Sequence, residues 1–306
     1  MMNHTAIIIV TFNPSSEDLQ HIRNLSASCE GYIVDNSPSP ILQQKEIGKM
    51  NYNWMKGNKG IGEAQEYALI QVLAQGVYTY VVFLDQDSRI DAEYVRMMVS
   101  EYERVLQENP NLGILGPTIL NTAQQEEYHS YIRKKQYHGD GFLKKENIIS
   151  SGSCISCKVL EKIGFPDSRL FLDYVDSEWC WRAHKRGFIC GQTDRCQLSH
   201  QIGIKTIHLG VMQDILSAPM RYYYQYRNFL WLLHVKYVPR YWKLTNAAKL
   251  LLRPFYLPFV TSHITPYYIY MLRGVWDGIT QYKKYKNQKN NENSYLLRHL
   301  PYLSGT

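Results

Sequence analysis

The chain has 306 residues, of which 45% are hydrophobic and 20% charged, which excludes an intrinsically disordered protein and leaves room for a catalytic α/β domain with a smaller appendage. Among its six cysteines only Cys154 and Cys157 have CxxC spacing, which excludes a four-cysteine zinc site and favours a reduced, cytoplasmic protein. The formal net charge of +7 is concentrated near the C-terminus, where basic residues alternate with tyrosines, so anionic lipid head groups or nucleotide phosphates are expected partners.

The N-terminal part of the chain predicts strands that alternate with helices. Residues 6–12 form a β-branched run, and the acidic segment 15–18 predicts the start of a helix that runs to about residue 28. This start lacks the cationic residues and cleavage site of a signal peptide, so no export is expected. Residues 32–34 predict a second strand that ends at Asp35, where a parallel sheet would present a ligand-binding loop.

A glycine-containing loop follows over residues 57–62. Gly60 and Gly62 are too few for a dinucleotide fingerprint or a P-loop, and alone they indicate only a tight turn. The helix predicted over residues 63–75 would point its positive end toward the same edge as the strand ends. The repeated order of strand, loop and helix therefore predicts a nucleotide-binding edge.

Two acidic residues follow a buried strand predicted over residues 80–84. Asp85 and Asp87 are two positions apart, so an extended chain would direct both carboxylates to one side. A divalent cation with phosphate oxygens is the expected ligand of such a pair. An alternative stays open, because paired acids at a strand end also cap the next helix or lie in a solvated turn.

The middle of the chain carries a second acidic segment. A helix is predicted over residues 92–107 and a strand over residues 113–117. A long surface excursion is predicted over residues 121–145, and a strand of small side chains over residues 148–155. Beyond them Asp176 lies near the start of a predicted helix, where an aspartate also serves as a plain cap.

Three later residues are candidates for contacts with phosphate or metal. His200 lies between apolar residues, where a histidine is often structural rather than a ligand. Ser217 is predicted to cap a helix with Pro219 in its first turn. Arg221 and Arg227 on this helix could grip phosphate, or could cover apolar surface with their side-chain stems.

The C-terminal region is predicted to be helical around residues 242–252 and 267–285. The apolar stretch 250–272 is interrupted by three prolines, an arginine and a histidine, which argues against a membrane-spanning helix. Its aromatic and basic residues suit the surface of a membrane, and a plain helical cap on the catalytic domain is the alternative. The same aromatic surface would also suit a homo-oligomer.

The order of these motifs resembles the GT-A-fold, family 2 glycosyltransferases, and within them the bacterial rhamnosyltransferase-like branch. The resemblance runs over residues 6–233 and is carried by the motifs Thr11-Phe12-Asn13-Pro14, Val34-Asp35-Asn36-Ser37, Asn58-Lys59-Gly60-Ile61-Gly62, Phe83-Leu84-Asp85-Gln86-Asp87-Ser88, Ser151-Gly152-Ser153, Phe171-Leu172-Asp173-Tyr174-Val175-Asp176-Ser177-Glu178-Trp179, His200 with Gly203, and Arg221-Tyr222-Tyr223 with Arg227-Asn228. It implies an α/β GT-A fold with a mostly parallel, Rossmann-like central sheet flanked by helices. The domains expected are a catalytic domain over residues 1–235 and a helical, Tyr- and Lys-rich region over residues 236–306.

The resemblance also implies which residues bind the donor. Thr11 and Asp35 would contact the base or ribose of the nucleotide, with Gly60 and Gly62 beside them. Asp85 would help to bind the donor, and the two arginines described above would contact its phosphates.

The catalytic and metal-binding roles come from the same resemblance. Asp85 and Asp87 match a DxD-type motif for Mg²⁺ or Mn²⁺, with Asp87 as the direct ligand. His200 matches a position that supplies a further metal or diphosphate contact in some relatives. Asp176 falls where the family keeps its catalytic base, although Val175 stands where many relatives carry an acid.

The resemblance implies an inverting glycosyltransferase that makes bacterial surface polysaccharide, such as O-antigen or capsule. The expected donor is dTDP-rhamnose, with a UDP-sugar as the alternative, and the acceptor is a saccharide or lipid-linked saccharide. Two other functions stay open: a haloacid-dehalogenase-type phosphatase, which also carries Asp-x-Asp after a strand, and a non-catalytic scaffold that binds membranes or nucleic acid through the basic tail. The glycosyltransferase interpretation involves no nucleic acid, and it places the protein in the cytoplasm or on the inner face of the membrane.

Overall fold

The structure, a computed structural model, describes residues 4–121, 141–200, 205–209 and 212–288. Strands and helices alternate along much of the chain. The strands are β1 (Thr5–Thr11), β2 (Glu30–Asp35), β3 (Met50–Trp54), β4 (Tyr80–Asp85), β5 (Leu112–Asn121), β6 (Phe142–Lys145), β7 (Cys154–Ser156), β8 (Ile189–His200), β9 (Lys205–Leu209) and β10 (Met212–Leu216). The helices are α1 (Ser16–Ser28), α2 (Ile61–Gln75), α3 (Ala92–Glu108), α4 (Cys157–Ile163), α5 (Val175–Lys185), α6 (Pro219–Leu233), α7 (Arg240–Tyr256) and α8 (Thr265–Thr280).

An eight-stranded sheet in the order β3-β2-β1-β4-β7-β5-β8-β6 is the centre of the fold. The four strands from β3 to β4 are parallel, and β5 is parallel to β8. β7 is antiparallel to its neighbours β4 and β5, and β6 is antiparallel to β8. The predicted α/β class with a mostly parallel sheet is therefore confirmed.

Local sequence signals explain why the early elements begin where they do. A capping box starts α1, since Ser15 Oγ accepts from the backbone N–H of Asp18 and the Asp18 carboxylate accepts from the N–H of Ser15. Asp91 caps α3 by a single bond, in which its carboxylate accepts from the backbone N–H of Tyr94. Every residue of β1 except the half-buried Val10 is buried, and so are the apolar residues of β4, as expected for central parallel strands.

The chain divides into two compact units. The first comprises Met1–Phe171 and Val175–Gln201, and it contains the eight-stranded sheet and its buried apolar core. The second comprises Leu172–Tyr174 and Ile202–Thr306, and it contains the β9–β10 hairpin with α6, α7 and α8. The predicted domain boundary after residue 235 stays a prediction.

The structure corrects the bounds of two predictions about the middle of the chain. The strand predicted over residues 148–155 begins only at Cys154, because Ser150 accepts from the backbone N–H of Ser153 in a turn and Gly152 has a φ of +74°. The surface excursion predicted over residues 121–145 ends in β6, which pairs with β8. The part of that excursion over residues 122–140 lies outside the described residues.

The start of α6 also differs from the prediction. Ala218, not Ser217, is the N-cap residue, and it makes no side-chain capping bond. Pro219 begins the helix, as predicted, because its fixed φ suits the first turn and its missing N–H would have no helical partner there.

No helix in the described ranges combines the length and hydropathy that crossing a bilayer requires.

Candidate active site

The carboxyl ends of four parallel strands place the predicted donor-binding residues side by side. In the register of the sheet Thr11 lies opposite Asp35, and Asp35 lies opposite Trp54. Asp85 lies opposite Val10, one residue before Thr11. Because parallel strands end at a common edge, the predicted residues of β1, β2 and β4 share one edge of the sheet.

Asp35 organises the loop that follows β2. Its side chain is fully buried, and Thr11 Oγ1 lies 3.4 Å from its Oδ1. The backbone N–H groups of Ser37 and Ile41 also donate to the carboxylate, at 2.8 and 3.2 Å. Tyr52 donates its hydroxyl at 2.5 Å, and burial together with this bond raises the pKa of Tyr52 to about 12. These bonds fix the loop, while the nucleotide contact of Asp35 and Thr11 stays a prediction.

The glycine loop packs against the backbone of Phe171. A Cβ on Gly60, whose φ is +86°, would lie 2.4 Å from the carbonyl oxygen of Phe171. That same oxygen accepts from the N–H groups of Ile61 and Gly62 at 2.7 and 3.4 Å, so it occupies the start of α2. Asn36 joins this loop to β2 by donating to the Gly60 carbonyl at 3.1 Å. The glycines are therefore needed for packing, and their contact with the donor stays a prediction.

The tip of β4 is held by a serine pair. Ser88 Oγ accepts from the N–H of Asp85 at 3.2 Å and lies 2.9 Å from Ser151 Oγ, with both serines buried. The Asp85 side chain is half-buried, whereas that of Asp87 is exposed. Gln86 accepts from the N–H of Phe12, which joins this tip to the end of β1. The two carboxylates thus lie on a tip that is braced from two directions.

Asp176 lies in the first turn of α5 beside the same turn of serines. Its Oδ2 accepts from the backbone N–H of Ser150 at 3.1 Å, and its side chain is half-buried. Burial, and secondarily the Asp85 carboxylate, raise the pKa of Asp176 to about 6, while the bonds from Ser150 oppose this shift. Asp176 and the acidic tip of β4 are therefore electrostatic neighbours, although they are far apart in sequence.

The donor atoms at this tip suit a hard divalent cation. Asp85 and Asp87 offer carboxylate oxygens, and Mg²⁺ is commonly held by one or two carboxylates together with substrate phosphates. Burial is the main cause of the raised pKa of Asp176, and the negative charge of Asp85 adds to it; a cation would offset the second contribution. Within the described ranges no group of three or more metal-binding side chains forms a complete protein site. The side chain of His200 lies outside the described residues.

The two predicted phosphate-binding arginines belong to the second unit. Arg221 donates to Asp173 at 2.7 Å and is partly exposed, so it forms an ion pair inside this unit. Arg227 is buried, bonds the Asn228 side chain at 2.8 Å, and has its guanidinium 4.3 Å from the Trp231 ring centroid. These contacts are structural, and the phosphate contacts of both arginines stay predictions.

Several residues that support the site have no role assigned to them by the sequence analysis. Each of these residues makes a hydrogen bond that holds a loop of the first unit. Tyr52 donates to Asp35, and Asn36 donates to the Gly60 carbonyl. Ser150 donates its N–H to Asp176, and Gln65 donates to Ser150 Oγ at 3.2 Å. Asn36 follows the β2 aspartate directly, so its position was a usable signal. Gln65 and Ser150 are 85 positions apart, and no local pattern indicates that they meet.

The mostly parallel eight-stranded sheet, with helices between its strands, has the architecture of a GT-A glycosyltransferase. Crystallised residues 1–349 of S. aureus TarS, in complex with UDP-GlcNAc, have a TM-score of 0.52 at 15% identity, covering 91% of this chain and 81% of that chain. This similarity shows the fold. The predicted GT-A fold is confirmed. The dehalogenase-type phosphatase interpretation does not fit, because its Asp-x-Asp motif normally follows the first strand and Asp85 ends the fourth.

Sequence relatives define the family. No protein-family model matches the chain. It is 30% identical over 251 residues to the dTDP-rhamnosyl transferase RfbF of Shigella flexneri, covering 78% of this chain and 83% of the relative. It is 26% identical over 243 residues to the low-salt glycan biosynthesis hexosyltransferase Agl10 of Haloferax volcanii, covering 74% of this chain and 75% of the relative. The chain belongs to the glycosyltransferase family that includes this rhamnosyl transferase, which confirms the resemblance seen in its motifs.

Proposed function

We propose that this glycosyltransferase is metal-dependent and inverting, and that it moves L-rhamnose from dTDP-rhamnose to a saccharide or lipid-linked saccharide in bacterial surface polysaccharide synthesis. The placement of Asp176 carries the mechanism: a half-buried carboxylate bonded to Ser150 and next to the acidic tip of β4. The choice of donor rests on the relative that acts as a dTDP-rhamnosyl transferase.

Asp176 acts as the general base. With a pKa of about 6 it is ionised at neutral pH and still basic enough to take a proton from an acceptor hydroxyl. As that oxygen forms a bond to the anomeric carbon, the bond to the nucleotide diphosphate breaks and the proton passes to the Asp176 carboxylate. Attack from the face opposite the leaving group inverts the configuration at the anomeric carbon.

Asp85 and Asp87 hold the cation in this proposal, with Asp87 as the direct ligand and His200 as a further contact. A bound Mg²⁺ or Mn²⁺ supplies positive charge beside the diphosphate as negative charge develops there. Thr11, Asp35 and the Gly60–Gly62 loop form the nucleotide end of the donor site.

Melting temperatures with dTDP, UDP and GDP, each with and without Mn²⁺, test the donor. A ligand that binds only the folded state raises the melting temperature by mass action. We expect a rise with dTDP that requires the metal, followed by rhamnose transfer from dTDP-rhamnose. A rise with UDP alone would keep the mechanism and change the sugar, and no rise with any pair would contradict the donor site.

The proposal places the enzyme in the cytoplasm and on the inner face of the membrane, where a lipid-linked acceptor would lie. It needs no nucleic acid. A non-catalytic scaffold is the alternative, and its prediction is indifference to every nucleotide and metal in the same melting experiment.

A further inference from the structure

Helix α7 of the second unit has its apolar side facing outward. The outward positions recur every three or four residues, at Tyr241, Leu244, Ala248, Leu251, Leu252 and Phe255, and Phe259 follows in the next turn. At 100° per residue the six helical positions span about one third of the helix circumference. We refer to these seven residues as the α7 stripe.

Two basic residues in the second half of the same helix face the interior. Arg253 is 2% exposed and donates to Asp214 at 2.8 Å, and Lys249 pairs with Asp214 at 2.6 Å. Leu250 and Leu257 are buried in the apolar core of the second unit. An ordinary surface helix has the opposite arrangement, with its charged residues in water.

Helix α8 repeats the outward apolar arrangement. Its inner face, at Gly274 and Gly278, packs closely against α6. Its outer face carries the α8 stripe, which consists of Ile269, Leu272, Trp276 and Ile279. Tyr268 donates its hydroxyl to the Pro254 carbonyl at 2.6 Å and so joins α8 to α7.

The exposure of the two stripes is concentrated rather than scattered. Seven of their side chains are between 65% and 89% exposed. Across the described residues of the first unit, the most exposed large apolar side chain is Val77, at 52%. Single exposed apolar residues are common on proteins, whereas clustered ones mark an interaction surface.

The positive charge around the two stripes favours one class of partner over another. Residues 236–288 contain nine lysines and arginines and a single acid, Asp277, which accepts a bond from Tyr223. Six of the basic side chains are exposed: Lys236, Arg240, Arg273, Lys283, Lys284 and Lys286. A second copy of the chain would bring the same positive excess against it, whereas anionic lipid head groups carry the opposite charge.

We infer that the α7 and α8 stripes dock the second unit on a bilayer with anionic head groups, with the apolar side chains at the acyl boundary and the basic side chains among the head groups. This inference deepens the proposed function by naming the surface that would bring the enzyme to a lipid-linked acceptor. It does not depend on the sugar or the metal.

Flotation of the full chain with vesicles tests the inference without any donor. Vesicles of phosphatidylglycerol and phosphatidylcholine should carry the protein, and pure phosphatidylcholine vesicles should carry much less. Raising the salt concentration from 0.1 to about 0.5 M should weaken binding, because the charge attraction is screened. Absence of flotation with the anionic vesicles would overturn the inference, even if donor binding and transfer were intact.

Single substitutions locate the contact. Phe255→Ser and Trp276→Ser should each lower the vesicle partition coefficient about tenfold, since each removes a large apolar side chain from the lipid contact. Val77→Ser is the matched control, because it removes an exposed apolar side chain from the first unit and should not change partition. Equal melting temperatures of the variants would show that they fold. Unchanged flotation of both stripe variants would contradict the assignment of the surface.

A charge variant and a sedimentation measurement distinguish anionic lipid from a second copy of the chain as the partner of the stripes. Lys283→Glu with Lys284→Glu should reduce flotation with anionic vesicles and leave the small binding to neutral vesicles unchanged. If sedimentation equilibrium instead finds a dimer that Phe255→Ser dissociates, the stripes belong to a second copy and the lipid inference is wrong.

Discussion

Asp176 combines three properties that a general base needs: a carboxylate, partial burial and a fixed orientation. Its Oδ2 is held by the backbone N–H of Ser150, and its pKa of about 6 lies near neutral pH. The same burial that raises this pKa makes the ionised form less stable. The site therefore keeps a residue that is useful for proton transfer at some expense of folding stability.

The first prediction concerns loss of the base. Asp176→Asn should lower kcat by about 10²- to 10⁴-fold, because the amide cannot accept the proton of the acceptor hydroxyl. The rise in melting temperature with donor nucleotide and metal should be retained. Glu63→Gln, which neutralises an exposed acid in the first turn of α2, is the control and should keep full activity. Full turnover in Asp176→Asn would remove the base assignment.

The second prediction concerns pH. The value of kcat/KM should fall below a pH of about 6 as Asp176 becomes protonated. Asp85→Asn removes a negative charge that raises this pKa, so in the remaining activity the acidic limb should move to lower pH. Ser150→Ala removes a side-chain bond that lowers the pKa, so the limb should move to higher pH. A limb that stays in place in both variants would show that another group controls it.

At the scale of elements, two glycines set the distance between α6 and α8. A Cβ on Gly274 would lie 2.4 Å from the backbone oxygen of Tyr223, which cannot move without shifting α6. A Cβ on Gly278 would meet chiefly the tip of the Leu230 side chain, at 2.6 Å, which can rotate away. The two positions are alike in sequence and differ only in what faces them.

The third prediction uses this difference. Gly274→Ala should destabilise the protein by about 1–3 kcal/mol, because overpacking forces backbone to shift. Gly278→Ala should be much milder, since alanine also favours a helix by about 1 kcal/mol relative to glycine. Melting temperature and urea unfolding of the two variants make a matched comparison. If the two variants lost the same amount of stability, α8 would be able to shift along α6 to make room for either alanine, and the prediction would be wrong.

Several elements followed from local sequence patterns, and others did not. β1, β4 and α3 were predicted closely because apolar runs and capping residues mark them. β3 was missed because polar residues alternate along it, which resembles a loop when neighbouring strands are unknown. At the candidate site, motifs predicted the roles of the β4 acids and Asp176, and these roles stay predictions; the bond between Ser150 and Asp176 depends on tertiary contact and has no local sequence signal.

At the scale of the whole molecule, the pKa values of two carboxylates, Asp176 and Asp214, shift in opposite directions. The two residues therefore change the stability of the fold differently as the pH changes. Burial raises the pKa of Asp176, so its contribution to stability is present below the usual pKa of 3.8 and is lost as pH rises through about 6. The pKa of Asp214 is also raised by burial, but the ion pairs with Arg253 and Lys249 outweigh this and lower it overall. Its contribution is present above 3.8 and is lost as pH falls through its lowered value.

The fourth prediction tests these signs with one pair of variants. At pH 7.5 Asp176→Asn should stabilise the protein by about 1–2 kcal/mol, after allowance for solvent screening, and raise its melting temperature by about 2–5 °C. Near pH 4 the difference from the unmodified protein should shrink. Asp214→Asn should lower the melting temperature at pH 7.5, since it leaves the buried Arg253 without its carboxylate partner at a cost of about 3–5 kcal/mol. Scans at both pH values check the signs, and destabilisation by Asp176→Asn at pH 7.5 would show that its ionised carboxylate stabilises the fold.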